Sequence, residues 1–329
     1  MGWPLRMFVP QETYFVTVRC FQRRLLMRPS GETIEVLGGV LARAARLNGI
    51  ELFVFAFASN HLHLLVRAPS GNLPRFMQHL LTNVSKKLGN LVRWRGRFWE
   101  RRYSAEPVLD ETALLERVRY ILAHGVKEGL VRRCDEWPGL NSLSMMWNGK
   151  PRVFRWFNWT RKSKSRAASR ESSRFAEAWA ERERLELTPL PVEALRTRGA
   201  LRRFVRNATR EIEAQASRMF VRVLGRDVVL RQHPHRRAQW REPTPRPRCH
   251  TTLAELRIEY LQRYRAFAAA FFEASRRWIR LDLSASFPDQ AFRPFVWPGA
   301  SAGKTRGLTR TSGREWGREG PAGFGHPRR

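Results

Sequence analysis

Acidic residues are scarce in this chain. It carries 29 Asp and Glu against 61 Lys and Arg over 329 residues, a formal net charge of +32 at pH 7. An excess of that size must be balanced by a polyanion or an anionic membrane surface, and nucleic acid is the first candidate. The imbalance is uneven: residues 1–150 hold 22 basic and 12 acidic side chains, residues 151–329 hold 39 and 17. Cysteine is nearly absent. Cys20, Cys134 and Cys249 form no CxxC, which excludes a disulfide framework or a zinc ribbon and fits a reducing compartment. Long hydrophobic runs are missing as well. No apolar stretch approaches the ~20 residues of a membrane span, and the opening MGWPLRMFVP has no apolar core of a secretory signal. The expectation is a soluble, cytoplasmic protein. With 43% hydrophobic and 11% aromatic residues the chain folds, and its length suffices for two domains.

The pattern along the first 150 residues is regular. TYFVTVRCFQ (13–22) alternates β-branched and aromatic types and reads as a strand. In 33–50 the residues Val36, Leu37, Val40, Leu41 and Ala44 recur at helical spacing, closed by Asn48-Gly49. ELFVFAFAS (51–59) is apolar on both alternate sets, as an interior strand is. HLHLLVRAP follows as its hairpin partner across Ser59-Asn60. A long amphipathic helix is expected over 73–94, with Pro74 in its first turn. A strand over 97–109 comes next, and then a helix from Glu111 to about His124, capped by Asp110. The order β α β β α β, then α, predicts an α+β fold, a ferredoxin-like split βαβ sandwich.

Beyond residue 150 the pattern weakens. The polar, basic stretch 161–174 reads as a linker or arm, 175–187 and 192–224 as helical, and 231–250 as an Arg- and Pro-rich loop. Residues 252–280 read as one more amphipathic helix. The expected organisation is a domain over 1–150, a basic and mainly helical extension over 151–300, and a disordered tail over 301–329.

The chemistry concentrates in SNHLHLLVRAP. On a strand His61 and His63 project side by side while Leu62, Leu64 and Val66 face the other layer, which makes a platform for a divalent metal. Two histidines at the start of a strand are also compatible with a merely solvated pair, as is the HPH at 233–235. The helix at 111–124 adds Tyr120 and His124 at i and i+4. A phenol beside a metal can act as a nucleophile on phosphorus. Tyr103, flanked by Arg101 and Arg102, is the competing nucleophile, and Glu116 lies one turn before Tyr120. Arg93, Arg95, Arg97, Arg101 and Arg102, interleaved with Trp94, Phe98 and Trp99, make a candidate DNA-binding set that joins phosphate contacts to base stacking.

The combination of NHLH, GRFWERRYSAEPV, LLERVRYILAHGVKEGLV and WPGLNSL, over residues 8–145, resembles the HUH single-tyrosine transposases, in the REP-associated tyrosine transposase branch with its IS200-like transposase domain. The resemblance implies a divalent Mg or Mn ion on His61 and His63. It also implies that Tyr120 attacks single-stranded DNA, leaving a 5′-phosphotyrosine and a 3′-hydroxyl. It further implies a hairpin-bearing single-stranded substrate, pairing as a homodimer, and a nucleoid-associated location. Two departures stand out. In YILAHG, His124 occupies the place of the family's metal-binding amide and Gly125 that of its proline. With His124 as a third ligand the site would favour a softer ion than Mg. The alternative reading is a domesticated single-stranded or hairpin DNA-binding protein with an idle site, and a third is a metal-dependent phosphodiesterase that uses water.

Overall fold

The computed structural model describes residues 5–159, 161, 179–239 and 247–291. β1 (Thr13–Arg19), α1 (Gly31–Leu47), β2 (Glu51–Phe57), β3 (His61–Arg67), α2 (Leu73–Leu91), β4 (Ser104–Val108) and α3 (Glu111–Leu122) follow the expected order. The four strands form one antiparallel sheet in the order β2-β3-β1-β4, the topology of the split βαβ sandwich. Alternation along β3 divides the molecule into two layers. Leu62, Leu64 and Val66 pack under α1 and α2, and Leu65 packs with α3 on the opposite face. His61 and His63 share the parity of Leu65 and so stand on the α3 side. The Asp110 carboxylate accepts the Ala113 N–H (2.7 Å), which starts α3 where the sequence places it.

Three expectations change. The strand expected over 97–109 is confined to Ser104–Val108; before it the chain makes only an isolated bridge from Trp99 to Cys20. The helix expected to reach about His124 ends at Leu122. The helical reading of 175–187 is replaced by β6 (Ala180–Leu185), paired antiparallel with β5 (Arg152–Phe157). The physical reason lies in Glu183, which points inward yet is charged, so hydrophobic periodicity misses the strand. Arg43 and Arg46 of α1 hold it at 2.6 and 2.9 Å. α4 (Leu143–Asn148) closes the first 150 residues, and among the described residues the α-helices of the extension are α5 (Arg198–Met219), α6 (Arg226–Arg231) and α7 (Ala254–Ile279). The tail 301–329 and the arm 161–174, apart from Arg161, lie outside the described residues.

Gly38 and Gly39 in the middle of α1 look like helix breakers, and the β5–β6 ribbon explains them. A Cβ on Gly39 would meet the Arg155 carbonyl oxygen at 2.6 Å, and one on Gly38 the Phe154 ring at 2.4 Å. Alanine ordinarily stabilises a helix interior by about 1 kcal/mol over glycine. Here the sign should reverse. Gly39→Ala is expected to destabilise the protein by about 1–3 kcal/mol, read from its urea unfolding midpoint, because the obstacle is backbone and cannot rotate away.

Later segments also cover the β2 edge of the sheet and part of its β4 edge. Along β2, the Phe57 N–H donates to the Leu140 carbonyl, the Ser142 N–H to Phe55, and the Thr188 N–H to Leu52. Along β4, His250 donates to the Pro107 carbonyl and accepts from the Leu109 N–H. Among the described residues, no helix is long and apolar enough to cross a membrane.

Candidate functional site

The two strand histidines are built by their neighbours. His61 Nδ1–H donates to the Asn60 side-chain oxygen at 2.6 Å, which leaves Nε2 with its lone pair. His63 Nδ1 bonds the Thr17 hydroxyl at 2.9 Å, and Thr17 is its cross-strand partner on β1. His124 arrives from the turn after α3, its backbone N–H bonded to the Ile121 carbonyl rather than continuing the helix. It meets His63 together with Tyr120, four residues earlier, since both rings lie against the His63 ring. The ring centroids of His61 and His124 are 4.5 Å apart, and those of His63 and His124 5.2 Å.

One potential ligand nitrogen from each of the three histidines falls within 4.8 Å of the others. His63 Nε2 and both ring nitrogens of His124 are buried without any hydrogen-bond partner. Orphaned buried nitrogens cost free energy unless something binds them, and a divalent ion would satisfy one on His63 and one on His124 together. These residues fit a metal. Trp137 lies parallel behind His124 (6.2 Å, 4° between planes) and is itself fixed by donating to the Phe57 carbonyl at 3.1 Å.

Burial and neighbouring positive charge depress the proton affinity of all three imidazoles. His61 and His63 fall well below the ordinary range, mainly through desolvation and then through their neighbours' charge, and burial takes His124 down to about 4. The neutral form that a metal needs is thus present throughout the neutral range. The folded values lie below the unfolded ones, so the unfolded chain takes up protons first as pH falls. Stability is complete above about 6.5, the unfolded reference value, and declines towards 4. In chelator, the urea midpoint should therefore drop between pH 7 and pH 4.5, with a slope of up to about 1.4 kcal/mol per pH unit per histidine. His124→Asn should flatten that slope.

Tyr120 stands at the mouth of this cluster, 37% exposed, with its ring edge-on to His63 (5.3 Å) and to Phe15 (5.7 Å). Lys127 Nζ sits 3.0 Å from its ring centroid, and the Arg117 guanidinium 5.3 Å. Burial lowers Lys127 to about 7. The competing Tyr103 is buried in the α1–α2 layer with Arg6 over its ring, away from the histidines. Glu116 is exposed and 3.8 Å from Arg117. Sequence reasoning missed Thr17, Asn60, Arg117 and Lys127. Thr17 was legible as the inward residue two after Phe15 on β1, and Asn60 as the residue just before His61. Arg117 and Lys127 carry no local signal beyond lying three before and seven after Tyr120.

The candidate DNA-binding set occupies the loop after α2 and its continuation into β4. Arg93, Arg95, Arg97, Arg101 and Arg102 are exposed. Trp94 and Trp99 are half-buried: Trp94 lies under the Arg24 guanidinium (4.9 Å) and beside His235 (5.3 Å), and Trp99 donates to the Leu81 carbonyl. His235 of the HPH stretch is therefore a packing residue, its Nε2 bonded to the Val92 carbonyl oxygen at 2.8 Å.

An antiparallel four-stranded sheet with a histidine cluster on its α3 face, and a tyrosine at the mouth, defines an α+β domain whose three histidines could hold a metal ion. Residues 10–124, about a third of the chain, match the family model described as "Transposase IS200 like". Two solved structures are similar in part. One is a REP-associated tyrosine transposase bound to a REP hairpin, at 18% identity over 43% of this chain and 82% of that one, TM-score 0.38. The other is a candidate transposase from Deinococcus radiodurans R1, at 22% identity over 37% and 95%, TM-score 0.27. No curated protein matches the chain.

Proposed function

We propose that the chain cuts and rejoins single-stranded DNA through Tyr120, with a divalent ion held by His61, His63 and His124. The observation that carries the reading is the convergence of three imidazoles and one tyrosine on a single patch within one chain. The Tyr120 hydroxyl loses its proton and its oxygen attacks the phosphorus. The bond from phosphorus to the 3′-oxygen breaks, and that oxygen takes up a proton as a 3′-hydroxyl. The DNA stays attached as a 5′-phosphotyrosine, and attack by another 3′-hydroxyl reverses the step and joins the strands. The bound ion would polarise the phosphate and withdraw its charge. Asn60 and Thr17 orient the two strand histidines, and Lys127 and Arg117 put positive charge where the phosphate arrives.

The substrate in this reading is single-stranded DNA bearing a hairpin, and the arginines of 93–102 hold its phosphates. A second copy would serve to bring two DNA ends together, since one chain supplies the tyrosine and all three histidines. The net charge of +32 and the family match of residues 10–124 both support a DNA partner. The test is incubation of the whole chain with labelled hairpin DNA and Mn or Mg, followed by a denaturing gel. A covalent adduct supports the proposal; its absence with every metal overturns it. The second reading, a DNA-binding protein with an idle site, is favoured by His124 in the place of the amide, and predicts salt-sensitive binding without an adduct.

A further inference from the structure

We propose that a cavity on the other face of the sheet, between β5, α1 and the end of α2, takes an unpaired base of the DNA that the tyrosine site works on. This rests on the DNA reading above. The cavity measures about 490 Å³ and is walled by Trp156, Phe157 and Trp159, with Leu91 as an apolar floor and Lys87 and Asn90 at its rim. Trp159 is 44% exposed and meets Phe157 edge-on at 4.5 Å, so its ring is held but its outer face is open. Lys87 is fixed by donating to the Phe157 carbonyl (2.7 Å) and lies 4.1 Å from the Trp156 ring centroid. A flat ring with apolar faces and a hydrogen-bonding edge matches these walls, and the ammonium matches the phosphate that accompanies a base. Two carboxylates of α1 also line the cavity: Glu35 is engaged by the Arg155 N–H (3.0 Å) and guanidinium (3.6 Å), and Glu32 is exposed to solvent.

Continuity with the histidine cluster favours the same DNA as the occupant. α2 ends at Leu91 in the cavity wall, and the chain runs on through the exposed Arg93, Arg95 and Arg97 to Trp99. Trp99 pairs with Cys20, whose N–H donates to the Asn60 carbonyl at 2.7 Å, and the Asn60 side chain holds His61. A basic strip thus joins cavity and cluster around the edge of the fold, a route that a single strand can follow and a stiff duplex cannot.

The test uses the full chain and fluorescence anisotropy on two DNAs, a hairpin with single-stranded flanks and the same hairpin with blunt ends. Trp159→Ala should weaken binding to the flanked DNA by roughly 5- to 150-fold and leave the blunt hairpin unchanged, with Trp159→Phe restoring most of the loss. A single abasic position in a flank should weaken the wild type to the same degree and add nothing in Trp159→Ala. Equal losses on both DNAs, no loss at all, or abasic losses that add to the mutation would overturn the cavity's role. If the adduct still forms while Trp159→Ala binds normally, only this inference fails. If the wild type binds no DNA, the functional reading fails with it.

Discussion

Tyr120→Phe is expected to abolish the covalent protein–DNA adduct, by at least about a thousandfold in rate, while leaving DNA binding and folding intact. Phenylalanine keeps the ring contacts with Phe15 and His63 and the Lys127 ammonium over the ring, so only the attacking oxygen is removed. The experiment compares wild type and variant on the same labelled hairpin, by denaturing gel for the adduct and by anisotropy for binding. An undiminished adduct would remove Tyr120 from the chemistry. Cleavage without adduct that survives Tyr120→Phe but disappears in His63→Ala would make water the nucleophile.

The second large effect concerns the metal. Three neutral imidazoles are a poor match for Mg, which favours oxygen ligands, and a better one for Mn, Zn or related ions. Mn or Zn at a hundred times its dissociation constant should stabilise the wild type by about 2.7 kcal/mol, visible as a shift of several degrees in melting temperature. Mg at the same concentration should shift it far less. His63→Ala should erase the Mn shift, because it removes the ligand whose orientation Thr17 fixes. His124→Asn restores an amide at that position and should move the preference back towards Mg. Equal shifts from Mg and Mn in the wild type would exclude His124 from the ligand set.

Most of the sandwich was legible because its signals are local. Alternation marks β1 and β3, a run apolar on both faces marks β2, helical spacing marks α1 and α2, and Asp110 marks the start of α3. The elements that escaped depend on partners far along the chain. β6 presents Glu183 inward, which is tolerable only beside Arg43 and Arg46, more than a hundred residues earlier. Gly38-Gly39 reads as a weak spot in α1 until Phe154 and Arg155 pass over it. In the site, His61, His63, Tyr120 and His124 were named from their letters and spacing. Their meeting in one patch depends on β3 packing against α3, a contact between distant segments that spacing within one element does not encode.

The covered β2 rim of the four-stranded sheet limits how copies of this protein can come together. Hydrogen bonds from residues 140–142 and 188 occupy the β2 rim, and those of His250 occupy part of the β4 rim. Main-chain groups already engaged there cannot recruit a strand from another molecule, so fusing two sheets into one along β2 is an unfavourable route to assembly. A form paired through the β2 side would have to be glued by side chains or by the DNA itself. It should then come apart when the DNA is removed, unlike a dimer knitted through a shared sheet.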